Sequence, residues 1–233
     1  MNMPYKASLA LHTGEDMQCI VSNREKTLKA LHPQMRHIVL ANQTHGDRIH
    51  VVSEKETKGW YEHESAIASC DGLITMQKGV LLGVLTADCV PVLLYDPVRE
   101  SVGAVHAGWR GTASHIVSKC VVKMQKEFGV EPKNIIACIA PSIGRCCYEV
   151  DEAVVKKFDD IPKSHEVIGD GKYMLDLPYI NKYQLLESGL SPENIHLSGI
   201  CTACDTQRFF SYRKEHGCSG RFLSMIGMLP DMK

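Results

Sequence analysis

The chain has 233 residues, 44% of them hydrophobic, and its 26 Lys plus Arg against 27 Asp plus Glu leave a formal net charge of −1. That balance gives no electrostatic case for a nucleic acid or an anionic membrane, and the length is ample for a buried core. No apolar run approaches a bilayer span and no h-region is visible near the start, so the ten cysteines are expected as reduced thiols in a cytoplasmic protein.

In chain order, Arg24–Leu31 predicts a short helix ended by Pro33, and His37–Ala41 a strand. Thr44-His45-Gly46-Asp47 reads as a tight loop before a β-rich run over Ile49–Val52. Asp71-Gly72 turns into Leu73–Thr75, and Lys78-Gly79 turns into Val80–Leu85, a hairpin-like spacing. Val90–Tyr95 and Val102–Val105 are two further strands, joined through Asp96-Pro97. This places Cys89 at a strand boundary and His106 at a strand end. Gly108 and Gly111 follow, with Thr112 as the expected cap of a helix reaching Gly129. In that helix Val117, Cys120, Val121, Met124 and Phe128 share an apolar face.

Asn134–Ala140 predicts a buried strand, the loop PSIGRCCYEV follows, and Asp151 caps an expected helix to Phe158. Gly169-Asp170-Gly171 is a turn, Asp176–Ser188 a helix stopped by Gly189, and Ile195–Leu197 a strand. Phe209–Arg213 and Arg221–Leu229 both read as strands. Hairpin and crossover spacings mix without a repeat or a clear linker. The expected fold class is therefore α/β (α+β) with mixed β-sheets, as one domain over 1–233.

His45, Cys89 and His106 are the chemically suggestive set. Two imidazoles and a thiolate with an open fourth position suit catalytic zinc. The same trio also suits copper, Cys89 and His106 alone suit a metal-free nucleophile–base dyad, and each residue alone is compatible with a plain structural role. A multicopper oxidase would need a histidine-rich cluster, and the chain has no His-x-His. Arg48, Arg110, Arg145, Arg213 and Arg221 lie beside glycines or strand ends, where a guanidinium can grip phosphate with two N–H groups. Of these, Arg48, Arg110 and Arg145 form the expected substrate-binding set. Cys201-x-x-Cys204 looks like half a zinc site, with Cys146-Cys147 a poor other half; two ordinary buried thiols in a turn is the favoured reading.

The segments QTHGDRIHVV, DGLIT, TADCVPVLLYDP, VGAVHAGWRGT, IAPSIGRCCYEV and CTACDTQRFFSYRKEHGCSGRF together resemble a known family. It was once described as multicopper polyphenol oxidases or laccases, and is now described as purine nucleoside phosphorylases with adenosine deaminase activity. The resemblance runs from about His37 onward. It implies layered mixed sheets flanked by helices, similar to a cysteine-hydrolase toxin, and a zinc site of His45, Cys89 and His106, the trio that carries the chemistry. It further implies phosphorolysis of adenosine, inosine and 5'-methylthioadenosine, with deamination of adenosine. Small-molecule purine nucleosides and phosphate are then the expected partners. The turn between Arg213 and Arg221 is longer than the family's usual one. The alternatives are a cysteine amidase or deamidase acting on a peptidoglycan precursor or another amide, a copper-dependent polyphenol oxidase, and a non-enzymatic zinc-binding module.

Overall fold

The computed structural model describes residues 7–217 and 219–231. Twelve strands and five α-helices are found among them. In chain order the strands are β1 His37–Leu40, β2 Ile49–Val51, β3 Gly72–Thr75, β4 Val80–Thr86, β5 Val90–Asp96 and β6 Ser101–Ala107, then β7 Ile136–Ile139, β8 Glu149–Asp151, β9 His165–Gly169, β10 Lys172–Leu175, β11 Ile195–Leu197 and β12 Phe222–Gly227. The helices are α1 Met17–Ala30, α2 Trp109–Ala113, α3 Ile116–Phe128, α4 Glu152–Val155 and α5 Leu177–Glu187. No helix among the described residues is long and apolar enough to cross a membrane.

The main sheet has six strands in the order β11-β7-β5-β6-β3-β2. Its centre is the β5–β6 hairpin, where Asp96 closes the turn by accepting from the backbone of Val98 at 2.7 Å and Arg99 at 3.2 Å. A second sheet, β1-β4-β12, stacks on it, and a small antiparallel sheet β8-β10-β9 adds Val150 and Leu175 to the main sheet's core. One face of the main sheet packs Val92, Leu94 and Val105 against Val117, Val121 and Met124 of α3 and Ile180 of α5. The other face packs Leu73 and Val102 against Val39, Leu82 and Val84 of the second sheet. That second sheet covers its outer face with Leu9, Trp60 and the α1 residue Leu28, against Ile38, Leu81 and Leu85. Every residue of β4 is buried because its two alternating faces each meet a core. The result is a mixed α/β fold of layered sheets flanked by helices, as expected.

Several local readings change. Leu73–Thr75 and Val80–Leu85 do not form a hairpin: β3 pairs with β6 and β2, and β4 pairs with β1 and β12. The link through Gly79, at φ +84, steps between layers instead. The first helix starts seven residues earlier than Arg24, because Asp16 accepts from Gln18 N at 2.9 Å. The helix expected over Thr112–Gly129 is two helices, broken at His115, which sits in the left-handed region at φ +58. At the break the Thr112 carbonyl accepts from Gln184 Nε2 at 2.9 Å as well as from His115 N at 2.9 Å. Thr112 is therefore an interior residue of α2, not a cap; Gly108 takes that place. The helix after Asp151 is a single turn, and the Asp151 carboxylate turns to Lys172 instead of capping it. Phe209–Arg213 is not a strand. Ser211 N donates to Glu215 Oε2 at 2.8 Å and Ser211 Oγ accepts from Lys214 N at 3.1 Å, so local side-chain bonds win over β-propensity.

Candidate functional site

Strand register brings the predicted trio together. Val90 faces Ala107 and Pro91 faces His106 across the β5–β6 pair, so Cys89, one residue before β5, arrives beside His106. His45 comes from the 41–48 loop with a left-handed backbone, φ +60. The ligand atoms of His45, Cys89 and His106 all lie within 4.8 Å of one another. The two imidazoles meet edge to face, centroids 4.8 Å apart.

A buried carboxylate that the sequence marked only as a turn residue organises this group. Asp71, 1% exposed, accepts from the backbone N–H groups of Thr44, His45 and Gly46 at 3.1, 2.9 and 2.8 Å. Its Oδ1 also lies 2.8 Å from His106 Nδ1. Burial pushes its pKa up, but His106 and these backbone donors outweigh burial and hold it at about 2. An ionised carboxylate only accepts, so Nδ1 carries a hydrogen and Nε2 is the nitrogen left to offer its lone pair to a metal. Burial likewise opposes ionisation of Cys89, yet the imidazoles of His106 and His45 bring it down to about 6. His106 is raised in turn: burial disfavours its charge, while Cys89 and Asp71 favour it. The only sequence signal for Asp71 was an Asp-Gly pair, which also describes an ordinary turn.

Two glycines keep the space around the trio open. A Cβ on Gly108 would lie 3.0 Å from His45 Cδ2 and 3.2 Å from Cys89 Sγ. One on Gly111 would lie 2.8 Å from the Gly46 carbonyl, so α2 can back the His45 loop only with glycine there. The donor set fits a thiophilic or borderline ion: one thiolate, two imidazoles, one of them oriented by a carboxylate.

The trio lies at the wall of a cleft of about 510 Å³, whose lining includes Arg110, Arg213 and Arg221 and one carboxylate, Asp88. Asp88 adopts φ +89, a costly conformation for a non-glycine residue, and is held there from three sides. Its carboxylate accepts from Thr202 Oγ1 at 2.7 Å and Arg213 N at 2.6 Å, and its carbonyl accepts from Ile143 N at 2.9 Å. Aromatic rings of Trp109, Tyr148 and Tyr212 also line the cleft, each lying under a guanidinium: Arg110, Arg213 and Arg221 respectively, at 4.5, 5.2 and 5.7 Å.

Not every expected arginine arrives. Arg48 is exposed outside the lining and donates to the Ala68 carbonyl at 2.7 Å. Arg145 is exposed in the 3-10 turn Arg145–Cys147, also outside it. Arg213 and Arg221, whose longer intervening turn set them apart, are the ones that join Arg110. Nor are Cys201 and Cys204 ordinary buried thiols: Cys204 is exposed and Cys201 half-buried. Their sulfurs converge with those of Cys146 and Cys147, all four within 4.8 Å of one another.

The chain is 37% identical over 223 residues to "Purine nucleoside phosphorylase YlmD" of Bacillus subtilis, covering 94% of this chain and 80% of that protein. It is 33% identical over 228 residues to "Adenosine deaminase RL5" of an unknown prokaryotic organism, covering 94% and 86%. The crystal structure of the hypothetical protein YfiH of Bacillus licheniformis superposes with a TM-score of 0.92 at 38% identity, over 96% of this chain and 86% of that one. A family model, described as multi-copper polyphenol oxidoreductase laccase, matches residues 2–229. By shared sequence over nearly its whole length and by shared fold, the chain belongs to that laccase-like family.

Proposed function

We propose that this protein is a metal-dependent purine nucleoside phosphorylase with adenosine deaminase activity, using zinc held by His45, Cys89 and His106. One observation carries the reading: a His-His-Cys donor set opening on a cleft lined by three arginines and three aromatic rings. The names of the relatives favour the same chemistry. Among the described residues the only other candidate metal cluster is all cysteine, so the histidine-rich cluster of a multicopper oxidase has no ligands here, and the oxidase alternative is the weaker one.

The division of labour follows from the residues. Zinc, when bound, supplies a Lewis acid. Asp71 fixes the His106 tautomer and anchors the His45 loop, so the donors are oriented before any ion arrives. Arg110, Arg213 and Arg221 bind and orient phosphate, and their charge offsets its repulsion from the cleft's thiolate and carboxylate. Trp109, Tyr148 and Tyr212 offer faces on which a purine stacks. In phosphorolysis a phosphate oxygen bonds to ribose C1' as the bond from C1' to the base nitrogen breaks, and the base leaves with a proton.

Cys89, His106 and Asp71 also form a line of nucleophile, base and orienting carboxylate, which favours a cysteine amidase as second reading. Product chromatography with inosine separates the two. The phosphorylase releases hypoxanthine and ribose 1-phosphate only when phosphate is present. Cys89→Ala abolishes both turnover and one bound metal. Phosphate-independent hypoxanthine release, or undiminished turnover in Cys89→Ala, refutes the phosphorylase; amide hydrolysis by metal-free protein establishes the amidase.

A further inference from the structure

The four converging cysteines outside the cleft have no part in the chemistry above. Cys146 and Cys147 lie in the loop after β7, and Cys201 and Cys204 in the loop after β11. β7 and β11 are parallel neighbours, so both loops leave the same end of the sheet. They remain paired there: Ser142 N donates to the Ile200 carbonyl at 3.3 Å, and Thr202 N to the Ser142 carbonyl at 3.0 Å. Two cysteine pairs, over fifty residues apart in sequence, thus meet because their strands are adjacent.

We propose that Cys146, Cys147, Cys201 and Cys204 form a closed, structural four-thiolate site for one zinc ion, separate from the cleft trio. The geometry matches. Thiolates around a tetrahedral zinc at about 2.3 Å sit about 3.8 Å from one another. Here Cys204 Sγ lies 3.6 Å from Cys146 Sγ and 3.4 Å from Cys147 Sγ, with every pair inside 4.8 Å. A disulfide would need sulfurs at about 2.05 Å, well inside these separations, and all four cysteines are free. Gly144 N donates to Cys201 Sγ at 3.3 Å, a bond that favours a thiolate over a thiol. A Cβ on Gly144 would lie 3.3 Å from Cys201 Cβ and 3.4 Å from Cys146 Sγ, so glycine keeps that approach clear.

On binding, four thiols release four protons to solvent and form four Zn–S bonds, with no change of oxidation state. Four protein ligands leave no position for a substrate, which makes the ion a clamp. What it clamps is the wall of the cleft. Thr202, between the last two cysteines, and Ile143, before the first two, both bond to Asp88, the residue before Cys89. Tyr148, next to Cys147, lines the cleft itself.

The test counts metal in the Cys89→Ala background, where the cleft site is disabled whatever its function. Protein purified under reducing conditions and reconstituted with zinc should retain one zinc per chain in Cys89→Ala and none in Cys89→Ala with Cys201→Ser and Cys204→Ser. Replacement by Co²⁺ in Cys89→Ala should give the intense thiolate-to-cobalt charge transfer of a tetrahedral four-sulfur site. If the serine variant fails to fold, alkylation of Cys89→Ala decides: the four thiols should resist iodoacetamide until a chelator is added. Metal-free Cys89→Ala after reconstitution, four thiols that react freely without chelator, or a disulfide among them under reducing purification would overturn the proposal.

Discussion

Replacing Asp71 with Asn is the sharpest probe of the cleft, because it keeps the shape and removes one acceptor oxygen. Oδ2 accepts from Thr44 N, Gly46 N and Thr44 Oγ1, and Oδ1 from His45 N and His106 Nδ1. An amide must point its NH₂ at one of these two groups. On the Oδ2 side it faces donor against donor at Thr44 N and Gly46 N, and on the Oδ1 side at His45 N, with His106 forced to move its hydrogen to Nε2; each unpaired buried donor costs ~1–3 kcal/mol. The hydroxyl of Thr44 can rotate away, and the loop is half-exposed, so water recovers part of the loss. The expected destabilisation is roughly 2–4 kcal/mol, or roughly 4–16 °C in Tm for a chain of this size. Losing the carboxylate also frees the His106 tautomer, which should weaken metal binding by roughly 10–100-fold. Urea unfolding of metal-free protein measures the first effect. Competition with a chromophoric chelator, at a temperature where circular dichroism shows the variant folded, measures the second. A variant with wild-type unfolding midpoint and wild-type metal affinity would refute the assignment of Asp71 as the organiser of the trio.

Three further substitutions test neighbouring features. Gly108→Ala adds a methyl 3.0 Å from His45 and 3.2 Å from Cys89, so metal affinity should fall in the same chelator competition while the unfolding midpoint moves by less than ~1 kcal/mol, an exposed loop giving way at little cost. Arg24 is buried under the Trp60 ring at 4.8 Å and donates to the carbonyls of Leu9, Gly59 and Trp60. Arg24→Ala strands those acceptors and should cost about 3 kcal/mol or more in urea unfolding. His115→Gly relieves a left-handed residue at φ +58 and should raise stability by about 0.5–1 kcal/mol, read as a higher Tm with kinetics unchanged.

What is legible in the sequence is whatever depends on neighbours along the chain. The β5–β6 hairpin is local, so Cys89 and His106 could be placed at its mouth from apolar runs and an Asp-Pro turn alone. The partners of β4 could not, since an unbroken apolar run shows that a strand is buried on both faces but not what lies on either. The apolar stripe of α3 begins only after His115, so its periodicity covers neither Thr112 nor the break. Arginines beside glycines were candidates for the cleft, but which ones reach it depends on where their loops land; hence Arg213 and Arg221 join Arg110 while Arg48 and Arg145 do not. The CxxC pair is visible in sequence, but its convergence with Cys146-Cys147 is not, because it depends on β7 and β11 being adjacent.

The β12 pairing bears on the order in which the protein is made. β12 lies antiparallel along β4, Phe222 opposite Thr86, and just before it Arg221 bonds back to Ser8 and Leu9. During vectorial synthesis β4 therefore emerges with one edge paired to β1 and the other open, an apolar ribbon awaiting a partner more than a hundred residues downstream. Such an edge recruits other chains when left uncovered. His45, Asp71, Cys89 and His106 all precede residue 108, whereas Arg213 and Arg221 are translated among the last. The whole trio is thus synthesised before the arginine-bearing wall of the cleft, and a transcript truncated ahead of Phe222 would leave a chain that carries the trio beside an open edge.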